Sequence, residues 1–302
     1  MGLGAIKEKI EGIGDIVLLY DEPLSLHTGF KTGGKADLVA VPESKKAFFD
    51  LVYLLQDSGT KFFILGKGKN VLALDEGYDG VVVKTENALS EIEFKDNGLV
   101  CCGAGVSLST LCKGCAERGL SGLEFAYGIP GTVGGAVFMN AGAYDGEMKD
   151  VVRSVETLDK FHHIKIFEKE SLDFSYRHSF VQETDDIICG AVFELKKDKS
   201  EDIAKKMKEL MKRRKDKQPL EYPSCGSTFK RPTGSYASLL IDRCGLRGRS
   251  VGGACVSEKH CGFIVNKGGA TSDDILSLIE IVKKEVKEKS GYSLCCEIRL
   301  LK

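Results

Sequence analysis

The chain has 302 residues, a formal net charge of −1 and a hydrophobic fraction of 42%. This length predicts about two domains, and the near-neutral charge gives no general attraction to nucleic acid or to anionic membranes, so neither is expected as a partner. No apolar run approaches the roughly 20 residues of a membrane span, and the N-terminal segment MGLGAIKEKIEGIG lacks a signal-peptide core. Eleven cysteines without a secretion signal indicate reduced thiols and a cytoplasmic location.

The first half of the chain alternates strands and helices. The stretch ESKKAFFDLVYLLQDSG predicts a helix with Ser44 as its N-cap and Gly59 after its end. The strand KFFIL, the loop GKGKN and the strand-like run VLALDEGYDGVVV follow. In SLSTLCKGCAERG, Cys112 and Cys115 share the apolar face of a helix, which favours core packing over a zinc site with its four ligands. This order predicts a mixed α and β fold.

The G-x-G of the GKGKN loop does not fit a Rossmann dinucleotide motif. The position of the third glycine is Val71, the residues that follow read as extended, and Lys84 stands near the place of the expected acid. A P-loop is also excluded, because no Gly-Lys-Ser/Thr follows. The loop can still offer backbone donors to a phosphate from Gly66 and Gly68, with an amide from Asn70.

A glycine-rich stretch, YGIPGTVGGAVFMNAGAYDGEM, occupies residues 127–148. So many glycines predict neither a regular helix nor a regular strand. Their bare backbone lets N–H groups approach an anion such as a pyrophosphate, with a flat ring system against the apolar residues. A flexible loop is the alternative interpretation. Several apolar side chains disfavour a solvated linker, namely Ile129, Val133, Val137, Phe138 and Met139.

The second half continues with strands and two longer helices. DVVRSVETLD and HHIKIFEKE predict a strand pair, and IICGAVFEL predicts another strand. Ser200 is expected to cap a helix, with the run KRRKDK as its solvated end and a domain junction near residue 199. RSVGGACVSEKHCGFIVNKGG predicts a strand pair, SLCCEIRLL a final strand, and a long helix runs from Thr271 or Ser272 to Gly291.

A set of motifs in chain order resembles the UDP-N-acetylenolpyruvoylglucosamine reductase family of flavoenzymes. The motifs run from His27 nearly to the end of the chain and are HTGFKTGGKADL, LGKGKNVLALDEGYDGVVV, GIPGTVGGAVFMNAGAYDGEM, FSYRHS, RRKDKQPLEYPSCGSTFKRP, GGACVSEKHCGFIVN and CEIRL. The resemblance implies an α+β fold with an FAD-binding region of the p-cresol methylhydroxylase type, built from two α+β subdomains. We expect this region at 1–198, with a core at about 31–198, and a smaller α+β substrate-binding domain at 199–302.

The resemblance also implies the reaction. Family members use noncovalent FAD and NADPH to reduce a nucleotide sugar to UDP-N-acetylmuramate for peptidoglycan, and hence for cell-wall biogenesis, cell shape and cell division. The flavin N5 hydride goes to the β-carbon of the enolpyruvyl group. A monomer or weak homo-oligomer is expected, and no metal.

Three residues match the family's catalytic positions. Ser227, in CGSTFKRP, matches the donor of a proton to the α-carbon. Arg177, in SYRHS, matches the residue that polarises the substrate carboxylate, and Glu297, in CCEIRLL, matches the acid that hydrogen-bonds to the enol with a raised pKa. From the residues alone, the alternatives are an ordinary loop serine, a surface ion pair and a strand-end acid paired with Arg299.

The resemblance assigns binding contacts with less detail. Cofactor contacts are implied at Lys31, Gly66, Gly68, Lys69, Asn70, Gly128, Ile129, Pro130, Gly131, Thr132, Gly134, Gly135, Asn140 and Ala141. Substrate contacts are implied at Tyr176, Lys230, Arg231, Lys259 and His260. The segment before Ser227 is too short for the tyrosine loop of some members, so the chain resembles the compact subgroup. If Cys225 and Cys296 both line the site, thiol reagents should inhibit.

Two other functions fit part of the pattern. An FAD-linked oxidase or dehydrogenase of the same flavin fold, acting on an alcohol or sugar, has no reason to place a serine proton donor at 225–232. A non-catalytic flavin- or nucleotide-binding protein is the other alternative. The presence of all three catalytic candidates argues against it.

Overall fold

The computed structural model describes residue 4 and residues 6–302. Residues 1–3 and 5, part of the segment expected to lack a signal peptide, lie outside the described residues. The helices are α1 Lys7–Glu11, α2 Lys45–Ser58, α3 Leu108–Glu117, α4 Val133–Phe138, α5 Ser200–Lys217, α6 Ala237–Arg243 and α7 Ser272–Ser290. The strands are β1 Ile16–Pro23, β2 Lys35–Pro42, β3 Phe62–Leu65, β4 Val71–Ala73, β5 Tyr78–Lys84, β6 Ile92–Phe94, β7 Leu99–Gly103, β8 Leu120–Ser121, β9 Gly142–Ala143, β10 Gly146–Glu147, β11 Val152–Leu158, β12 Ile164–Glu168, β13 Ile187–Glu194, β14 Lys196–Lys197, β15 Ser250–Val251, β16 Ala254–Val256, β17 Ile264–Asn266 and β18 Arg299–Leu301.

The chain forms two compact units, and each is discontinuous in sequence. The first unit comprises Met1–Leu19, Leu38–Gly66 and Gly80–Arg214. The second comprises Tyr20–Asp37, Lys67–Asp79 and Lys215–Lys302. The predicted domains 1–198 and 199–302 remain a prediction, since compactness alone does not define a functional domain.

The first unit contains an antiparallel five-stranded sheet in the order β12-β11-β13-β7-β6. β11 pairs with β12 from Ser154↔Glu168 to Leu158↔Ile164, which confirms the predicted strand pair. A second sheet, of order β1-β2-β5-β3, has β3 and β5 parallel, with Leu65 opposite Lys84. The apolar residues of β5 and β11 are buried, whereas Ile164 and Ile166 of β12 are exposed, as expected when a sheet packs one face or its central strands against a core.

Local signals set the helices α2 and α3. Ser44 Oγ accepts a hydrogen bond from Ala47 N at 3.2 Å, and Gly59 ends α2 with φ 61°, so the predicted limits of this helix are confirmed. α3 buries both Cys112 and Cys115 on its apolar face, as predicted. All eleven cysteines are free thiols.

The helix α4 and the short strands β9 and β10 lie within the glycine-rich stretch, where neither helix nor strand was expected, and that prediction is wrong at these residues. Gly134 and Gly135 cost a helix about 1 kcal/mol each relative to alanine. Burial of Val133, Ala136 and Val137 offsets this cost, because each buried apolar side chain of this kind contributes about 1–3 kcal/mol. Tertiary packing, rather than helix propensity, stabilises α4.

The helix α5 departs from prediction at both ends. It begins at Ser200 itself, so this serine is the first helical residue rather than the cap. Arg214, in the run expected to be solvated, is only 8% exposed. Arg214 lies two turns after Met207 and therefore shares its buried face. The Arg214 stem occupies the space beside Gly128, where an added Cβ would lie 3.1 Å from Arg214 Cδ. Burial lowers the pKa of the Arg214 guanidinium.

The second unit contains the antiparallel sheet β15-β16-β17 and the helix α7. A capping box between Thr271 and Asp274 begins α7, and Gly291 ends it with φ 77°, as predicted. The predicted final strand begins only at Arg299, where β18 pairs in parallel with β4. None of the helices that the structure describes combines the length and apolarity needed to cross a membrane.

Candidate functional site

Gly66, the first glycine of the GKGKN loop, and Thr132 of the glycine-rich stretch both belong to the first unit and lie against each other. A Cβ on Gly66 would collide with Thr132 Oγ1, so only glycine allows this approach. Thr132 caps α4, since its hydroxyl accepts a hydrogen bond from Gly135 N at 3.5 Å. Gly66 therefore lies directly against the residue that caps α4, in the stretch predicted to bind a pyrophosphate.

The main chain at Gly131 and Gly135 is uncovered. A Cβ on Gly131 would have Leu108 Cδ1 as its nearest neighbour at 4.0 Å, and one on Gly135 would have Thr132 Oγ1 at 3.6 Å. Gly135 is exposed to solvent, and the neighbouring Pro130 is exposed as well. The N–H groups of Val133 and Gly134 donate to the Val106 and Ala104 carbonyls, so it is the uncovered main chain at Gly131, flanked by apolar residues, that fits the pyrophosphate and ring of FAD.

The predicted cofactor contacts in the second unit differ in their accessibility. Lys31 and Lys69 are exposed, and Gly68 is buried with φ 61°. Asn70 is used internally: its Nδ2 donates to the Glu297 carbonyl at 3.1 Å, and its own carbonyl accepts from Arg299 N at 3.0 Å. The amide of Asn70 thus anchors the segment that carries the predicted catalytic acid.

The Asn140 side chain is fully buried and fully used. Its Oδ1 accepts from Lys149 N at 2.9 Å, and its Nδ2 donates to the Ser175 carbonyl at 2.8 Å and to Glu147 Oε2 at 3.0 Å. A cofactor group that accepted a hydrogen bond from this amide would displace one of the two bonds that Nδ2 donates. The predicted contacts at Asn140 and Ala141 therefore remain a prediction for the main chain.

Asn140 also supports the turn that carries Arg177. Ser175 and His178 exchange two backbone hydrogen bonds, with N–O distances of 3.2 and 3.1 Å, and Tyr176 and Arg177 form the tip between them. Arg177 has φ 57°, a left-handed conformation that a non-glycine residue adopts only at a cost. Its Nη2 donates to the Gly142 carbonyl at 3.3 Å, and its guanidinium lies 4.9 Å from the centre of the Tyr176 ring.

In the second unit, the structure brings Ser227 and Glu297 together. Thr228, the residue after Ser227, accepts a hydrogen bond from Glu297 N at 2.9 Å and donates from its own N to the Gly262 carbonyl at 2.8 Å. The Thr228 hydroxyl also accepts from Ile264 N at 3.1 Å. Ser227 and Glu297 are both half-buried. Two residues remote in sequence are thus held on adjacent main-chain segments.

His260 lies close to the hydroxyl of Ser227. A Cβ on Gly262 would lie 3.3 Å from Ser227 Oγ and 2.9 Å from His260 Cε1, so both side chains border the space that Gly262 leaves open. His260 Nδ1 accepts a hydrogen bond from Gly262 N at 3.2 Å, which places the ring hydrogen of neutral histidine on Nε2. Burial lowers the pKa of His260 and favours this neutral form.

The other predicted substrate contacts are less enclosed. Lys259 Nζ donates to the Lys215 carbonyl at 2.6 Å and lies 3.8 Å from Glu221. Arg231 is exposed and stacks over the Tyr236 ring at 4.5 Å. Lys230 is half-buried, and Tyr176 is exposed. None of these contacts by itself identifies a ligand.

The two cysteines beside the catalytic candidates differ from the expectation of reactive thiols. Cys225 is buried, with Sγ 3.2 Å from the Val71 carbonyl, and burial raises its pKa to about 12. Burial also raises the pKa of Cys296. Because the thiolate is the reactive form, inhibition by thiol reagents through Cys225 is disfavoured.

Sequence reasoning missed two cationic side chains near the glycine loops. Arg214 packs beside Gly128, and Lys84 Nζ donates to the Gly66 carbonyl at 2.6 Å. The helical spacing from Met207 could have identified the burial of Arg214. Lys84 had no comparable signal, because its contact depends on the parallel pairing of β3 with β5.

Comparisons with known proteins cover both halves of the chain. A family model described as FAD binding domain matches residues 36–161, and one described as UDP-N-acetylenolpyruvoylglucosamine reductase, C-terminal domain, matches residues 218–301. The UDP-N-acetylenolpyruvoylglucosamine reductase of Caldanaerobacter subterraneus subsp. tengcongensis is 49% identical over 94% of this chain and 93% of its own length. A reductase of the same name from Clostridium botulinum is 45% identical over 96% of this chain and 94% of its own length.

A solved structure agrees with these matches. The crystal structure of UDP-N-acetylenolpyruvylglucosamine reductase from Thermus caldophilus superposes with a TM-score of 0.80 at 33% identity, and it covers 95% of this chain and 99% of that one. The predicted α+β fold, the FAD cofactor and an FAD-containing oxidoreductase are confirmed. At 45–49% identity over nearly the whole length, the chain belongs to the UDP-N-acetylenolpyruvoylglucosamine reductase family.

Proposed function

We propose that this chain catalyses the NADPH-dependent reduction of UDP-N-acetylglucosamine enolpyruvate to UDP-N-acetylmuramate, a step in peptidoglycan precursor synthesis. The names of its relatives denote reductases of this enolpyruvyl nucleotide, which supports the substrate. The observation that carries the proposal is the 2.9 Å hydrogen bond from Glu297 N to the Thr228 carbonyl. It keeps the residue that matches the family's acid next to Ser227, which matches the proton donor.

FAD is the cofactor of the proposed reaction. When bound, FAD would supply the hydride chemistry that links NADPH to the β-carbon of the enolpyruvyl group. We propose that the main chain at Gly66, and at Gly131 before α4, binds its pyrophosphate, because neither residue has a side chain that would keep an anion away from its backbone. Ile129 and Pro130 would contact its apolar ring.

Arg177 is proposed to bind the substrate carboxylate. As the β-carbon is reduced, negative charge develops at the α-carbon and spreads into the carboxylate, so a guanidinium fork there lowers the barrier. The Ser175–His178 bonds and the Gly142 contact fix the Arg177 turn before a ligand binds. Less reorganisation is then needed during the reaction.

Ser227 and Glu297 are proposed to complete the reduction. The Ser227 hydroxyl donates its proton to the α-carbon, and a serine suffices because the carbon centre is strongly basic at that moment. Glu297, in its protonated form, donates a hydrogen bond to the enolic oxygen of the substrate. Neutral His260 borders Ser227 without adding a positive charge that would compete for the carboxylate.

Two half-reactions, each followed anaerobically by the flavin absorbance, test these roles. We expect NADPH to bleach the flavin of Ser227→Ala at the wild-type rate, while reoxidation by the enolpyruvyl nucleotide slows about 10²–10⁴-fold. Ser224→Ala, which changes a half-buried serine of the same loop, is the matched control and should retain both rates. If flavin reduction fails in Ser227→Ala instead, the proposed role of Ser227 is wrong.

The same assay addresses the reductant, because NADPH should bleach the flavin faster than NADH at equal concentration. We further propose that the chain works in the cytoplasm as a monomer or weak homo-oligomer. Eleven free thiols support a reducing compartment. Light scattering across a concentration series tests the assembly state, and a tight oligomer at low concentration would contradict the proposal.

A further inference from the structure

The buried lysine Lys84 contacts Gly66, the first residue of the GKGKN loop. Lys84 is the last residue of β5 and lies opposite Leu65, the last residue of the parallel strand β3. Only 9% of its side chain is exposed. Its Nζ donates to the Gly66 carbonyl at 2.6 Å and lies 2.8 Å from Glu86 Oε2. The ammonium therefore sits at the point where β3 passes into the GKGKN loop.

The contact with Gly66 determines the direction of the next backbone donor. A peptide unit is planar and trans, so its C=O and N–H point in opposite directions. Because Lys84 holds the Gly66 carbonyl on one side, the N–H of Lys67 is turned to the other side. Thr132 lies against the α-carbon of Gly66 and closes a further direction. A glycine peptide, which would otherwise be mobile, is thus fixed by two neighbours.

The Lys84–Glu86 ion pair alone does not account for this arrangement. Burying an ammonium costs free energy unless its N–H groups are hydrogen-bonded. Glu86 is 31% exposed, so an ion pair with Glu86 would not require Lys84 to be buried. The buried position of Lys84 lets its ammonium donate to the Gly66 carbonyl. This bond orders a donor before any ligand arrives, and preordered donors bind anions more tightly.

We infer that Lys84 is a positioning residue for FAD, which orients the Gly66–Lys67 peptide toward the cofactor pyrophosphate and so sets cofactor affinity. This inference rests on the proposed contact between FAD and Gly66. Lys84 itself does not touch the cofactor in this assignment. Its effect should therefore appear in FAD binding, independently of turnover.

Titration of FAD into apoprotein, followed by quenching of FAD fluorescence, tests the inference. Lys84→Met keeps the length of the stem but loses the donor, and we expect its Kd for FAD to rise at least about tenfold, or about 1.4 kcal/mol. A Kd within twofold of the wild type would overturn the inference. Glu86→Gln is the matched variant, which retains the ammonium and its bond to Gly66. It should bind FAD at least as tightly as the wild type, and a tenfold weakening would also overturn the inference.

Thermal unfolding separates positioning from a purely structural role. Bound FAD stabilises the protein by an amount that grows with the ratio of its concentration to Kd. We expect Lys84→Met to reduce the rise in Tm that saturating FAD gives the wild type. Equal losses of Tm with and without FAD would overturn the inference. A wild-type protein that binds no FAD would instead overturn the proposed cofactor contact, so the two failures are distinguishable.

Discussion

Asn140→Ala should destabilise the protein strongly, because the side chain is 0% exposed and makes three hydrogen bonds. Its loss leaves the Lys149 N–H without this partner, at about 1–3 kcal/mol, whereas the carbonyl of the exposed Ser175 still accepts a hydrogen bond from His178 N. Asn140 also has φ 39°, where alanine costs about 1 kcal/mol more than asparagine. Together these effects predict a loss of about 2–4 kcal/mol in the free energy of unfolding.

The assay is thermal unfolding followed by circular dichroism. For a domain of about 150–250 residues, 1 kcal/mol corresponds to roughly 2–4 °C in Tm, so Asn140→Ala should lower Tm by more than about 4 °C. Asn97→Ala is the matched control, since Asn97 is an exposed asparagine with φ 60° and experiences the backbone penalty alone. Equal decreases in Tm for Asn140→Ala and Asn97→Ala would show that the buried hydrogen bonds of Asn140 do not contribute to stability.

Two further predictions concern titratable groups. Iodoacetamide at neutral pH should label exposed Cys295 well before Cys225, whose pKa burial raises to about 12; peptide mass spectrometry that finds equal labelling rates would contradict this. Burial acts to raise the pKa of Asp159, but the N–H groups of His163 and Phe161 and the Lys165 ammonium outweigh it, so the folded pKa is well below the ordinary value. The ionised Asp159 therefore stabilises the fold above about pH 4. Asp159→Asn should lower Tm relative to the wild type at pH 7, and this difference in Tm should shrink as the pH falls below about 4. A difference in Tm that does not change with pH would contradict this.

Elements with local signals were predictable from the sequence. α2 has a serine cap, a clear apolar face and a terminal glycine, and all three lie within the segment itself. α4 lacks such signals, since its stability comes from the burial of Val133, Ala136 and Val137 in a core assembled from distant residues. The burial of Arg214 falls between these cases. Helical spacing indicates its face, but a cationic side chain on that face reads as solvated until Gly128 provides room for its stem.

The candidate site divides in the same way. Ser227 and Glu297 could be predicted only through the order of family motifs, because no local pattern pairs residues so far apart in the chain. Lys84 was visible in the sequence only as a departure from the Rossmann pattern. Its contact with Gly66 depends on the register of β3 and β5, which single-sequence periodicity does not specify.

The main chain around Glu297 explains why an acid near the end of the chain can be held in a defined position. Its N–H is bound by the Thr228 carbonyl, and its carbonyl is bound by Asn70 Nδ2. Two residues later, β18 joins β4 with Arg299 opposite Val71. Both backbone groups of Glu297 are therefore hydrogen-bonded to segments that are remote from it in sequence. Residues near a chain end are often poorly ordered, so these backbone hydrogen bonds hold the Glu297 side chain in a defined position. Asn70→Ala should accordingly loosen Glu297 while leaving its carboxyl group chemically unchanged.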